Sequence, residues 1–224
     1  MLLAAPAARA STADEDAALM KACPGLAVWA AAHPHGDGAA AAADAGRVFT
    51  RPALRSALTE RAAADTRVRD AAMAKGKADQ AAMQAVLQVD AGNLAWLKDV
   101  VARQGFPTIA QVGAQGMADA WLLVQHADRD SAFQLQMLRT LKGRGEAAGV
   151  RKQDLAMLTD RVLLAQGQPQ RYGTQFEPDA HGALTMQPVE DRAGLDARRA
   201  AMGLMPLALY RCVLGASYHL PVAH

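Results

Sequence analysis

Residues 115–141, Gln-Gly-Met-Ala-Asp-Ala-Trp-Leu-Leu-Val-Gln-His-Ala-Asp-Arg-Asp-Ser-Ala-Phe-Gln-Leu-Gln-Met-Leu-Arg-Thr-Leu, decide the fold class. The apolar run Ala120 to Val124 predicts a helix from about Gln115 to Ala127, with the polar block Gln125-His126-Ala127-Asp128 at its C-terminal end. Asp130 can cap the next helix, whose stripe is Phe133, Met137, Leu138 and Leu141, and Gly143 and Gly145 end it. A third stripe, Leu155, Leu158, Val162 and Ala165, stops at Gly167. Three helices with short connections predict antiparallel neighbours around a shared core.

Working outward, Thr50 reads as an N-cap with Pro52 in the first turn of a long helix to about Ala74. Leu54, Leu58, Ala62 and Asp65 share one side of it. Asp65 and Arg69, four apart, can pair, which on an open helix face is a solvated ion pair. Residues 78–89 continue as helix, and Leu94, Leu97, Val100 and Val101 give another amphipathic segment, ended by Gly105-Phe106-Pro107. The pattern changes downstream. Gln170–Phe176 and Ala183–Val189 carry aromatic and β-branched residues around Pro178-Asp179-Ala180-His181-Gly182, which predicts a β-hairpin. A lone hairpin is marginal in water and must lie on the helical body. Leu195–Met202 and Pro206–Leu214 read as two short helices. The expected architecture is therefore mainly α, a helical bundle with one β-hairpin at about 170–189 packed on it, within a domain spanning 50–214.

The flanks differ in character. Residues 1–10, small and apolar with an Ala-x-Ala ending, read as the remnant of a secretory signal peptide and predict a periplasmic or secreted protein. Residues 11–49 form an alanine-rich N-terminal extension, with helices around Asp16–Met20 and Leu26–Ala32 and a break at His33-Pro34-His35-Gly36-Asp37-Gly38. Trp29 is the residue that could dock this extension. The histidines and aspartate of the break read as a turn, since metal ligands must be held rigidly. Residues 215–224 form a C-terminal tail. In an oxidising compartment the two cysteines, Cys23 and Cys212, can bridge and pin the extension to the C-terminal helix; the alternative is two unrelated buried thiols.

Charge and hydropathy exclude some classes. With 24 basic and 22 acidic side chains and no basic cluster, the chain has no field suited to nucleic acid. No stretch of 18 apolar residues predicts a membrane span. Metal chemistry is disfavoured because the chain lacks a helical His-x-x-x-His or Glu-x-x-His pair, and no cofactor motif is present: Gly143-Arg144-Gly145 follows a helix and lacks the strand-loop-helix context of a phosphate loop. Met117, Met137, Met157 and Met202, far apart within apolar stripes, read as core filler, as does Trp121.

The chemistry therefore centres on the polar block. A histidine and glutamine joined to so apolar a run are carried inward, where polar groups need partners. A second block, Gln170-Arg171-Tyr172-Gly173-Thr174-Gln175, could supply them. His126 is the candidate general acid or base, Asp160 or Asp128 the group that orients it, and Tyr172 a proton donor or oxyanion holder. Asp128 is two residues from His126, so it can meet the ring only if the helix ends there. Gln125, Gln170, Thr174 and Gln175 offer hydrogen bonds to a polar substrate, and Arg161, Arg198 or Arg199 a clamp for a carboxylate. No Gly-x-Ser-x-Gly elbow is present, and neither cysteine stands near the histidine block.

Residues of about 89–210 resemble the uncharacterised bacterial family catalogued as domain of unknown function 6624. The resemblance rests on Trp121-Leu122-Leu123-Val124-Gln125-His126-Ala127-Asp128, Asp160-Arg161-Val162, Gln170-Arg171-Tyr172-Gly173-Thr174-Gln175, Val189-Glu190-Asp191, and Arg198-Arg199 followed by Gly203-Leu204. Asp65 and Arg69 fit the same pattern more weakly. The resemblance implies a domain and the location of its site without implying an activity. Three functional readings stand open: a hydrolase or acyl-transfer enzyme using His126, a module binding a small polar ligand or peptide, and a buried polar network that only pins the hairpin to the helices.

Overall fold

The protein is described by a computed structural model that covers residues 13–33, 37–75, 79–145 and 149–223. The signal-peptide reading of residues 1–10 and the Pro34–Gly36 part of the expected turn lie outside these residues. The chain divides into two compact units, Gly38–Val150 on one side and Met1–Asp37 with Arg151–His224 on the other. The first helices of the expected 11–49 extension thus belong to the second of these units, and its alanine run to the first.

Among the described residues, five helices build unit 38–150. α3 (Asp37–Asp44) leads into it, followed by α4 (Pro52–Lys75), α5 (Gln80–Gln104), α6 (Ile109–Gln125) and α7 (Ser131–Arg144). The alanine run of the extension is helical because alanine is the strongest helix former, and because Asp44 at its end is bound by the rest of the unit. α4 starts at Pro52, but Thr50 is not its side-chain cap. Its hydroxyl donates instead to the carbonyl of Ala110. The two segments expected over 78–89 and 94–101 form one helix, α5, which Asp79 caps by accepting from the amide of Ala82 and Gly105 ends at φ 76°. Glycine at position 92 costs only about 1 kcal/mol inside a helix, too little to break 25 residues of otherwise favourable sequence.

α4 packs against α5 and α6, and α5 against α6, with α7 beside α6. Leu58, Val86, Leu97, Val112, Leu123, Val124, Met137 and Leu141 fill this core, each almost wholly buried. α6 begins earlier than the apolar run indicates. Gly113, at φ 77° and ψ 178°, breaks it into a first turn and a main body. Asp44 accepts from the amides of Ala114 (2.7 Å) and Gln115 (3.0 Å), capping the main body from a distant helix, and is paired with Arg55 at 2.7 Å. Arg55 also donates to the carbonyl of Val112, so the break is tied on both sides.

The other unit contains α1 (Ala13–Ala22), α2 (Gly25–Ala32), α8 (Lys152–Ala165), β1 (Phe176–Pro178), β2 (Leu184–Met186), α9 (Leu195–Ala201) and α10 (Leu207–Tyr218). β1 and β2 pair antiparallel, Phe176 opposite Met186 and Pro178 opposite Leu184. The hairpin is shorter than the sequence suggests, and only isolated bridges join Gln170 to Val189 and Leu184 to Val222. It lies on helices, as a two-stranded sheet must: Phe176, Leu184 and Met186 pack with Leu195 of α9 and with Tyr210 and Leu214 of α10. α1 packs on α10, and Cys23 and Cys212 are joined by a disulfide across 189 residues of sequence. Trp29 stacks on His33 at 4.5 Å between ring centres. Among the described residues no helix is long and apolar enough to cross a membrane.

Candidate functional site

α6 stops at Gln125 because His126 leaves helical geometry at φ −91° and ψ 6°. That exit turns the imidazole towards α4. Nδ1 of His126 lies 2.8 Å from Oδ2 of Asp65, whose side chain is 1% exposed, while the His126 side chain is 13% exposed. Arg69, one turn along α4, places Nε 3.1 Å from the same Oδ2 and 3.1 Å from Nδ1. A carboxylate only accepts, and it is the better acceptor for a guanidinium. Nδ1 therefore carries the proton and donates to Asp65, and Arg69 donates to Asp65 as well. From α5, Asp90 accepts from Nη2 of Arg69 at 2.5 Å.

The two carboxyls of this cluster differ in acidity. Burial favours the neutral form of Asp65, but His126 and Arg69 together outweigh it and hold the group below the usual carboxylate range. Asp90 goes the other way: burial, reinforced by the negative charges of Asp65 and Asp128, pushes it up to about 6 despite Arg69. Two carboxyls driven apart in this manner are the usual basis for distinct acid and base roles. Asp65, Asp90 and His126 also offer ligand atoms within 4.8 Å of one another, a spacing that could hold a metal ion. The Arg69 guanidinium, however, donates to both carboxylates and takes the place of a cation between them.

Beside the cluster, Asn93, one turn beyond Asp90 on α5, is buried and accepts from Arg61. Gln125 is buried with its side-chain oxygen lacking a partner among the described residues. Asp128 is exposed, and its carboxylate accepts from Gln134 of α7 at 3.3 Å.

The remaining expected site residues form a second group, in the other unit. Asp160 on α8, 0% exposed, accepts from the backbone amides of Arg171, Tyr172 and Thr174 and from the Thr174 hydroxyl, at 2.7–2.9 Å. Arg199 on α9, equally buried, donates to the carbonyls of Tyr172, Gly173 and Met205 and stacks on the Tyr210 ring, whose hydroxyl donates to the carbonyl of Thr174. A carboxylate thus gathers the amides of Arg171, Tyr172 and Thr174, and a guanidinium gathers the carbonyls of Tyr172 and Gly173. Gln170 donates to the carbonyls of Gln175 and Gln187 and accepts from the Gln175 amide, closing the loop on itself. This loop is no strand because its amides are already taken. The Tyr172 side chain is half-buried, Gln175 donates to the Thr174 hydroxyl, and Arg161 is buried beside Asp160 on α8. Half-buried Arg198 binds Asp191 and the carbonyl of Arg171.

Sequence reasoning named His126 and missed Asp65 as its carboxylate and Asp90 as a member of the cluster. The available signal was positional. Val86, Asp90, Asn93 and Leu97 recur at helical spacing, so two polar residues sit in an otherwise buried stripe.

No curated protein and no solved structure matches the chain. A family model matches residues 52–223, well over half the chain and more than the 89–210 recognised from motifs, and its span includes Asp65, Arg69 and Asp90. The chain belongs to that family, described as "Family of unknown function (DUF6624)".

Proposed function

We propose that His126, oriented by Asp65, is the general base of a hydrolase or acyl-transfer site acting on a small polar molecule or peptide. The observation that carries this reading is the 2.8 Å contact from His126 Nδ1 to a buried carboxylate, on a ring that still reaches solvent. Asp65 takes the orienting role expected of Asp160. It holds the ring in one tautomer and stabilises the imidazolium, so proton exchange falls to Nε2. In hydrolysis, His126 takes a proton from a water as its oxygen attacks the acyl carbon. Arg69 stabilises the oxyanion that forms, and a carboxyl of pKa about 6, Asp90, gives its proton to the leaving group as the acyl bond breaks.

In the other unit, the four donors on Asp160 and the carbonyls on Arg199 support a structural reading: these two residues shape the 170–175 loop. Tyr172, half-buried on that loop, is the candidate there for ligand contact. Export to the periplasm or beyond is supported by the Ala-x-Ala pattern of residues 1–10 and by the Cys23–Cys212 bridge.

The test is a panel of chromogenic acyl esters and anilides with the wild-type chain and His126→Gln. The expected result is turnover with at least one acyl class and its loss, by 100-fold or more, in the variant. Equal turnover in both proteins would overturn the assignment.

A further inference from the structure

Gln134 is a buried polar side chain for which the proposed chemistry has no direct use. It sits on α7 between Phe133 and Met137, on a helix face otherwise occupied by the core, and is 2% exposed. An amide is costly there unless its donors are bonded. Its Nε2 lies 3.1 Å from the carbonyl of Val124, 3.1 Å from the carbonyl of Gln125 and 3.3 Å from Oδ1 of Asp128. Two of these acceptors are the last two carbonyls of α6, beyond the reach of the intrahelical ladder; that of Val124 accepts from the amide of Ala127 as well.

The imidazole is carried by the residue at that helix end. His126 is the first residue past α6, and its amide still bonds back to the carbonyl of Leu122 while its φ and ψ turn the chain out of the helix. The backbone from which the imidazole reaches Asp65 at 2.8 Å is thus that of the cap itself. The same amide holds Asp128, whose negative charge contributes to the raised pKa of Asp90. One side chain therefore bonds to both ends of the block Gln125–Asp128.

We infer that Gln134 is a positioning residue for His126: its amide terminates α6 at Gln125 and so keeps Nδ1 of the imidazole on Asp65. This rests on the proposed acid–base reading only for its catalytic consequence, since the placement of the ring can be measured without any substrate.

The test uses the full chain, labelled with nitrogen-15, and reads the His126 tautomer from its long-range proton–nitrogen couplings at neutral pH. Gln134→Met removes the donors at similar volume, and Gln134→Glu keeps shape and polarity but presents an acceptor to three acceptors. Leu138→Ala, on the same buried helix face, is the control for loss of packing alone. The expected result is a wild-type ring mainly protonated at Nδ1, a fall of at least twofold in that fraction in whichever Gln134 variants fold, and no change in Leu138→Ala. An unchanged tautomer in a folded Gln134 variant would overturn the inference, as would an equal change in Leu138→Ala or a failure of both Gln134 variants to fold. A tautomer change in a protein without turnover on the acyl panel would remove the catalytic reading and leave the positioning role standing.

Discussion

His126 and Asp65 meet at 2.8 Å although 61 residues separate them, and the carboxylate lies almost wholly out of solvent. This places a titratable ring on a buried acceptor that also binds Arg69, so each member of the cluster depends on the others. Breaking such a group by removing one partner costs more than the pair contributes, because the survivors stay desolvated.

Asp65→Asn is therefore expected to lower stability by roughly 2–4 kcal/mol, somewhat less than for a fully buried pair because Arg69 still reaches water. Urea unfolding at pH 7 measures it. A change under 0.5 kcal/mol would mean that the cluster is not held together by this carboxylate.

The acidity of Asp90 gives a pH signature with a definite sign. A carboxyl raised from 3.8 to about 6 binds more protons in the folded than in the unfolded chain between those values, so stability falls as pH rises from about 4 to 6. The cost at full ionisation is on the order of 1–3 kcal/mol. Asp65, being lowered, acts oppositely and lower down: its stabilisation is present above its unfolded value of 3.8 and is lost as pH falls below it. Denaturant midpoints measured from pH 3 to 7 should fall between 4 and 6 in the wild type and flatten there in Asp90→Asn. An unchanged slope in the variant would assign the fall to another group.

Gly113→Ala should cost about 2–4 kcal/mol, because φ 77° with ψ 178° belongs to a region open only to glycine. The added Cβ would also overlap Nη1 of Arg55 and both carboxylate oxygens of Asp44. Thermal melting reads the loss. A variant that melts with the wild type would show that the break in α6 is not needed.

Asp160→Ala removes the acceptor of four donors at once. Each buried donor left unsatisfied costs roughly 1–3 kcal/mol, and partial relaxation brings the expected total to about 4 kcal/mol. Limited proteolysis should then cut within 170–175, a stretch expected to resist cleavage in the wild type. Intact resistance would show that the loop holds its shape without the carboxylate.

How far these features could be read in advance follows from the range of the interactions. The helices were legible where the apolar stripe and the cap are adjacent, as at Asp130, whose carboxylate accepts from the amide of Phe133, and at the Phe176–Met186 hairpin. The limits of the strands were not, because Gln170–Gln175 has strand-like composition while its amides are drawn to Asp160 by a contact that no local pattern carries. The first turn of α6 was missed for a similar reason, since its continuation past Gly113 depends on Asp44 about 70 residues earlier. His126 stood out because a polar block ended an apolar run. Its partner did not, because Asp65 and Arg69 at i,i+4 look like any exposed ion pair until α5 and α6 cover them. Asp90 sits on a third helix, and only tertiary packing joins it to the other two.

The central claim is that His126, oriented by Asp65, moves a proton during turnover. Its most direct test is the pH dependence of kcat/KM on an acyl ester turned over in the panel, for wild type, His126→Gln and Asp65→Asn, with melting temperatures taken alongside. The account predicts a bell-shaped wild-type profile, a loss of 100-fold or more in His126→Gln with the fold retained, and an intermediate loss in Asp65→Asn with the basic-form limb displaced to lower pH. Turnover in His126→Gln within twofold of wild type, or no turnover by the wild type on any acyl class, would contradict it.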